Sequence, residues 1–154
     1  MKTLLGGAVL AMGILLSACG GSAAPVAQPS TFPNTQNLPT LQIKDRVVNL
    51  NTKSGFQYAK MTLNVLFNDP KGDFSKAKGD ALKKLQDGFT GDNPAALAAF
   101  NDVLTTDVSQ KTPQELGTPE GKDALRKQLI DDFNTRLGGN LKVLYVEYVD
   151  FVMQ

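Results

Sequence analysis

The chain of 154 residues has no histidine, no tryptophan and a single cysteine. Without histidine it lacks the commonest general base and the commonest metal ligand. Ser–His and Cys–His nucleophile arrangements are therefore excluded. One cysteine cannot close an internal disulfide, nor can it build a Cys-rich zinc site. Neither sign of charge is in excess: 16 Lys+Arg stand against 15 Asp+Glu. Removing residues 1–18 takes away only Lys2, which leaves 15 against 15. That balance lacks the basic excess of a nucleic-acid binder. No apolar run reaches the about 20 residues that a spanning helix needs. The length suits one domain, not two.

What is present begins with an address. Lys2 supplies a charged start and Leu4 to Leu16 a short apolar core, so Met1 to Ala18 reads as a secretory signal peptide. It ends in Leu16-Ser17-Ala18-Cys19, which resembles a bacterial lipobox. In signals of that kind the cysteine thiol receives a diacylglycerol, and cleavage leaves the cysteine as the new first residue. Cys19 is therefore the expected lipidation site, and its acyl chains would hold the protein on the extracytoplasmic side of a membrane. The alternative is an ordinary signal peptide with an incidental cysteine. Gly20 to about Thr40, with Pro25, Pro29, Pro33 and Pro39, has too few large apolar residues to repay ordering and predicts a flexible tether. The expected division is 1–18 signal peptide, 19–40 lipidated cysteine and tether, and 41–154 folded domain.

Within that domain Asp45 to Leu50 predicts a short strand and Asn51 to Gly55 a turn. Phe56 to Phe67 alternates, with Ala59, Met61, Leu63, Val65 and Phe67 apolar, and predicts the second strand of an antiparallel hairpin. From Asp73 the period becomes helical through Phe74, Ala77, Ala81, Leu82 and Leu85, with Lys76, Lys78, Lys83 and Lys84 outside and a break at Gly88 to Asp92. Asn93-Pro94 starts a further helix with Leu97, Phe100, Leu104 and Val108 as its stripe. Thr112 and Glu115 have capping-box spacing.

Thr118-Pro119 then caps the main helix, whose stripe is Leu125, Leu129, Phe133 and Leu137, with Ala124 and Ile130 beside it. Lys122, Lys127, Asp131 and Thr135 fall on the opposite face, and Gly138-Gly139 stops the helix. Leu141 to Met153 is apolar on both faces, the pattern of a strand interior to a sheet. The order strand, strand, helices, strand predicts an α+β domain: a small, mainly antiparallel sheet with helices packed on one face.

No constellation for catalysis stands out. Asp131-Asp132 and the pair Asp102 and Asp107 read as solvated carboxylates on helix surfaces. Gly138-Gly139-Asn140 lacks the following helix that a phosphate-cradling loop requires. Asp150 reads as structural, and Tyr145, Tyr148 and Phe151 as sheet-face aromatics. The residues suggest no catalytic, metal-binding or cofactor-binding site.

Three groups of residues carry more information. Thr118-Pro119-Glu120-Gly121-Lys122, Asn134 and the closing Val149-Asp150-Phe151-Val152-Met153-Gln154 resemble the flagellar basal-body-associated FliL family. Its members end with a Thr-Pro-Glu-Gly-Lys helix, an asparagine in the last helical turns and an aromatic-rich strand closing Asp-Phe-Val-X-Gln. The resemblance runs from about Val47 to Gln154 and is densest after Thr118. It implies a fold similar to stomatin-like (SPFH) domains and a non-enzymatic accessory of the flagellar stator outside the cytoplasmic membrane. It also implies a homo-oligomer that works by protein contact, with no cofactor. FliL members normally carry a transmembrane helix, and the lipobox at Cys19 departs from that pattern. A lipoprotein version is compatible with another envelope motility complex. The second reading, from a different class, is a monomeric solute-binding or chaperone-like envelope lipoprotein, for which a ligand pocket is the discriminating feature. A hydrolase is disfavoured by the missing histidine.

Overall fold

The computed structural model describes residues 37–53 and 55–154. The signal peptide, Cys19 and the tether as far as residue 36 lie outside the described residues. The elements are β1 (Thr40–Asn49), β2 (Tyr58–Phe67), α1 (Asp73–Lys76), α2 (Gly79–Asp92), α3 (Pro94–Ser109), α4 (Pro113–Leu116), α5 (Pro119–Leu137) and β3 (Val143–Met153). The three strands form one antiparallel sheet in the order β1-β2-β3. Helices α3 and α5 cover one face, and the architecture is α+β.

The middle strand is β2. Its alternation puts Ala59, Met61, Leu63, Val65 and Phe67 in the core, each fully buried. They meet Phe100, Leu104 and Val108 from α3 and Leu125, Leu129 and Phe133 from α5 in a single hydrophobic cluster. Phe100 and Phe133 meet at 4.2 Å between centroids, their rings tilted by 39°, and join the two helices. Fully burying side chains of this size contributes about 1.5–3 kcal/mol each, so this cluster dominates the stability.

Three expectations need correction. First, β1 starts at Thr40, five residues ahead of the predicted Asp45. The early half pairs normally, Leu41 opposite Val65 and Ile43 opposite Leu63. A bulge then intervenes between Ile43 and Arg46, with Asp45 at φ 49°, and it breaks the alternation that a periodicity argument needs. The residues just before it also belong to the fold: Pro39 is buried, and Gln86 of α2 donates to the Leu38 carbonyl at 2.6 Å and accepts the Thr40 N–H at 3.0 Å.

Second, the helix does not break at Gly88. It is interrupted earlier, between Lys76 and Gly79, and α2 then continues to Asp92. Phe89 explains the continuation, because its ring sits 5.1 Å from Phe67 and 5.9 Å from Phe74. The stop falls at Asn93, whose side chain donates back to the Phe89 carbonyl at 2.7 Å. It therefore caps the end of α2 and makes no side-chain cap for α3.

Third, β3 is an edge strand, not an interior one. Its two-faced apolar pattern arises from two register shifts against β2, at Thr62/Leu63 and at Leu66/Phe67. Each shift leaves one residue of β3, Val149 or Leu144, without a partner and turned to solvent. With the shifts counted, Val143, Val146, Tyr148, Phe151 and Met153 face the helices.

Candidate functional site

Of the residues that carry the family resemblance, Thr118, Lys122, Asn134 and Phe151 lie along the seam between α5 and β3, while Val149, Asp150 and Val152 point to the other face of the sheet. Thr118 caps α5: its hydroxyl oxygen accepts the Gly121 N–H at 3.0 Å, while the hydroxyl donates to the Glu115 carbonyl at 3.0 Å. This holds α4 directly over the first turn of α5. At Gly121 a Cβ would lie 1.8 Å from the Glu115 carbonyl oxygen, so only glycine fits. Just upstream, Thr112 and Glu115 form the predicted capping box, with the Thr112 N–H donating to Glu115 at 2.7 Å.

The far end of α5 is fastened by Asn134. Its carboxamide accepts the Val143 N–H at 2.8 Å and donates to the Val143 carbonyl at 3.0 Å. One side chain thus occupies the place of a neighbouring strand. Midway, the Arg126 guanidinium donates to the Val146 carbonyl at 2.9 Å and pairs with Asp123. It also lies over the rings of Tyr148 and Tyr145, at 5.0 and 5.3 Å. Tyr148 donates its hydroxyl to the Lys122 carbonyl at 3.0 Å, and burial raises its pKa far above the usual phenol value. Lys122, assigned from the sequence to the solvent face, instead lies 5.0 Å from the Phe151 ring. Ala124, placed beside the apolar stripe, is exposed.

The chain's last residue is fastened as well. Gln154 exchanges both backbone hydrogen bonds with Tyr58, at 2.8 and 3.0 Å, and its side chain accepts the Tyr58 hydroxyl at 2.5 Å. Thr118, Lys122, Asn134 and Gln154 are therefore framework: the first three position α5 over α4 and β3, and Gln154 ties the end of β3 to β2. Asp150 is exposed on the opposite face of the sheet, across from Thr62.

Among the described residues no helix packs on that opposite face. Gln42, Asn64 and Glu147 form a hydrogen-bonded ladder across the three strands, at 3.0 and 2.9 Å. Beyond the ladder, Val47 (53% exposed) and Val152 (41%) flank Lys60 in one row of the sheet, and Val149 (52%) projects at the bulge. Phe56, in the β1–β2 turn, is almost wholly exposed.

The carboxylates divide. Asp102 pairs with Arg136 at 3.3 Å on the surface, and Asp131 is exposed, as expected. Asp107 departs from expectation: it is only 6% exposed and faces Asp132 and Gln128 of α5. Its place on the Phe100–Leu104 stripe was the available signal. Gly138 and Gly139 have positive φ and lead into β3. Among the described residues no three His, Cys, Asp or Glu side chains come together to hold a metal ion. No described helix is long and apolar enough to cross a membrane. The depressions are shallow; one of about 380 Å³ is lined by Asn51, Lys53, Gln57 and Thr112 to Gln114. The family model for the flagellar basal body-associated protein FliL matches residues 40–154. No curated protein matches the chain.

Proposed function

The chain belongs to the family of flagellar basal body-associated FliL proteins, and from that premise we propose that it is a lipid-tethered assembly module that binds further copies of itself and a membrane-fixed stator or other motility complex. The coarse part of this is the family's own: an accessory protein of the flagellar basal body, associated with the membrane and with motility. The finer part is the mode of attachment and the contacts made.

The observation that supports a binding role is the contrast between the two faces of the sheet. One face is closed by α3 and α5 through their apolar stripes, and Arg126 and Asn134 of α5 fasten to the backbone of β3. Among the described residues nothing covers the other face, and Val47, Val149 and Val152 are exposed on it near the β1–β2 turn. Exposed apolar side chains rimmed by polar ones are the usual makeup of a protein contact. The mechanism is association without covalent chemistry. The alternative of a solute-binding lipoprotein gains little from depressions that lie open to solvent, because a ligand site normally encloses most of its ligand.

Attachment is proposed through Cys19, with 1–18 removed as a signal peptide, 19–40 serving as tether and 41–154 as the working domain. A partner fixed in the membrane meets a tethered domain at high effective concentration. Cys19→Ser should therefore release the protein from the membrane fraction, leave it folded and impair motility at normal expression. Retention of the variant on the membrane would refute the anchor. Intact motility in a motile host would refute the stator contact, and tight binding of a small solute by the purified chain would favour the alternative.

A further inference from the structure

Asp107 projects from α3 into its contact with α5, where it lines a cavity of about 180 Å³ together with Val103, Thr106, Asp132, Thr135 and Arg136. Its Oδ2 is buried and has no hydrogen-bond donor. The group it faces across the helix interface is a second carboxylate, Asp132, with Gln128 beside it. Two ionised carboxylates cannot bond one another; add one proton and the pair has a donor with which to bond. The arrangement is complete only when the pair holds a proton.

We propose that Asp107 and Asp132 form a proton-operated latch between α3 and α5: a shared proton closes the interface, and its loss sets two like charges against each other and loosens α5 from α3. The charges around the pair favour this behaviour. From α5 the facing groups are Gln128, Asp132 and Arg136, and from the turn after α3 there is Lys111. Arg136 is drawn to Asp102 at 3.3 Å, while Lys111 and Gln128 favour the ionised form only weakly against burial and Asp132. Burial first, then Asp132, raises the Asp107 carboxyl to about 6. The latch is therefore shut at mildly acidic pH and released towards neutrality. Because α5 also holds the edge of β3 through Arg126 and Asn134, release at α3 reaches the third strand of the sheet. The latch is independent of the anchor and the contacts proposed above.

The test is carried out on the full chain by following the Asp107 carboxyl carbon by NMR, and hydrogen exchange across α3 and α5, as pH is varied. The carbon should titrate near 6. After correction for intrinsic rates, exchange in α3 and α5 should rise about tenfold or more between about pH 5 and about pH 7.5. In Asp107→Asn, whose amide can donate to Asp132 at any pH, the rise should disappear. A carbon that titrates below about pH 4.5, or an equal rise in Asp107→Asn, overturns the latch. Should that variant not fold, Asp132→Asn gives the second measurement: its amide donates to ionised Asp107 and should lower the Asp107 midpoint. An unchanged midpoint overturns the latch.

Discussion

In most exposed helices Gly→Ala stabilises, by about 1 kcal/mol, because alanine loses less backbone freedom on folding. At Gly121 the opposite is expected. The added Cβ would sit 1.8 Å from the Glu115 oxygen and 2.7 Å from its carbonyl carbon, and 3.0 Å from the Thr118 hydroxyl oxygen. Two of those atoms are backbone, held by the Thr112–Glu115 capping box, so no side chain can swing aside. Forcing such a contact open costs about 1–3 kcal/mol. The displacement also pulls α4 off the Thr118 cap, a loss of about 1 kcal/mol that roughly cancels the helical gain. The net is a destabilisation of about 1–3 kcal/mol. Gly88 in α2 is the internal control, since a Cβ there meets nothing within 4 Å. Urea denaturation of both variants against the parent decides the matter. Gly88→Ala should be neutral or stabilising and Gly121→Ala destabilising. Equal or stabilising effects at both positions would refute the account of the α4–α5 junction.

Leu129 is fully buried between α5 and the sheet, so Leu129→Ala should cost about 2–5 kcal/mol in the same assay. Asn134→Ala removes both hydrogen bonds to Val143, at about 1 kcal/mol each, and should cost about 2 kcal/mol while speeding hydrogen exchange at the Val143 amide. The Asp107 pKa is raised from 3.8 to about 6 in the fold, so the native state holds the proton more tightly than the unfolded chain. Stability should therefore fall as pH rises from about 4 to about 6, by about 3 kcal/mol from this group, and level off above that; denaturation midpoints across the range check the sign.

Much of this fold was legible because its signals are local. The Thr118 cap, the Thr112–Glu115 box, the helical stripes and the alternation of β2 each depend on residues close in sequence. The family words after Thr118 pointed to the right family, although they could not say that Lys122 and Asn134 hold α5 on β3 while Asp150 faces away. What escaped was set by distant partners. The bulge at Asp45 hid half of β1, and two more bulges made an edge strand resemble an interior one. Gly88 sits in a helix that Phe67 and Phe74 keep intact from elsewhere in the chain. Asp107 has an ordinary surface composition around it, and only its position on the Phe100–Leu104 stripe marks it as buried.

The manner in which the chain joins the sheet has a mechanical side. It enters at Leu38 to Thr40, gripped by Gln86, and runs straight into β1, a ten-residue strand. The exposed valines and Phe56 lie towards the other end of the strands. A pull on the incoming chain, resisted at that far end, is directed along the strands and at right angles to the ladder between β1 and β2. The ladder bonds then share the load in shear instead of opening one after another like a zip. Reversing the geometry, with the pull at the β1–β2 turn, would peel them singly. Held this way, β1 would resist a pull along Leu38 to Thr40 more strongly than a pull at the β1–β2 turn.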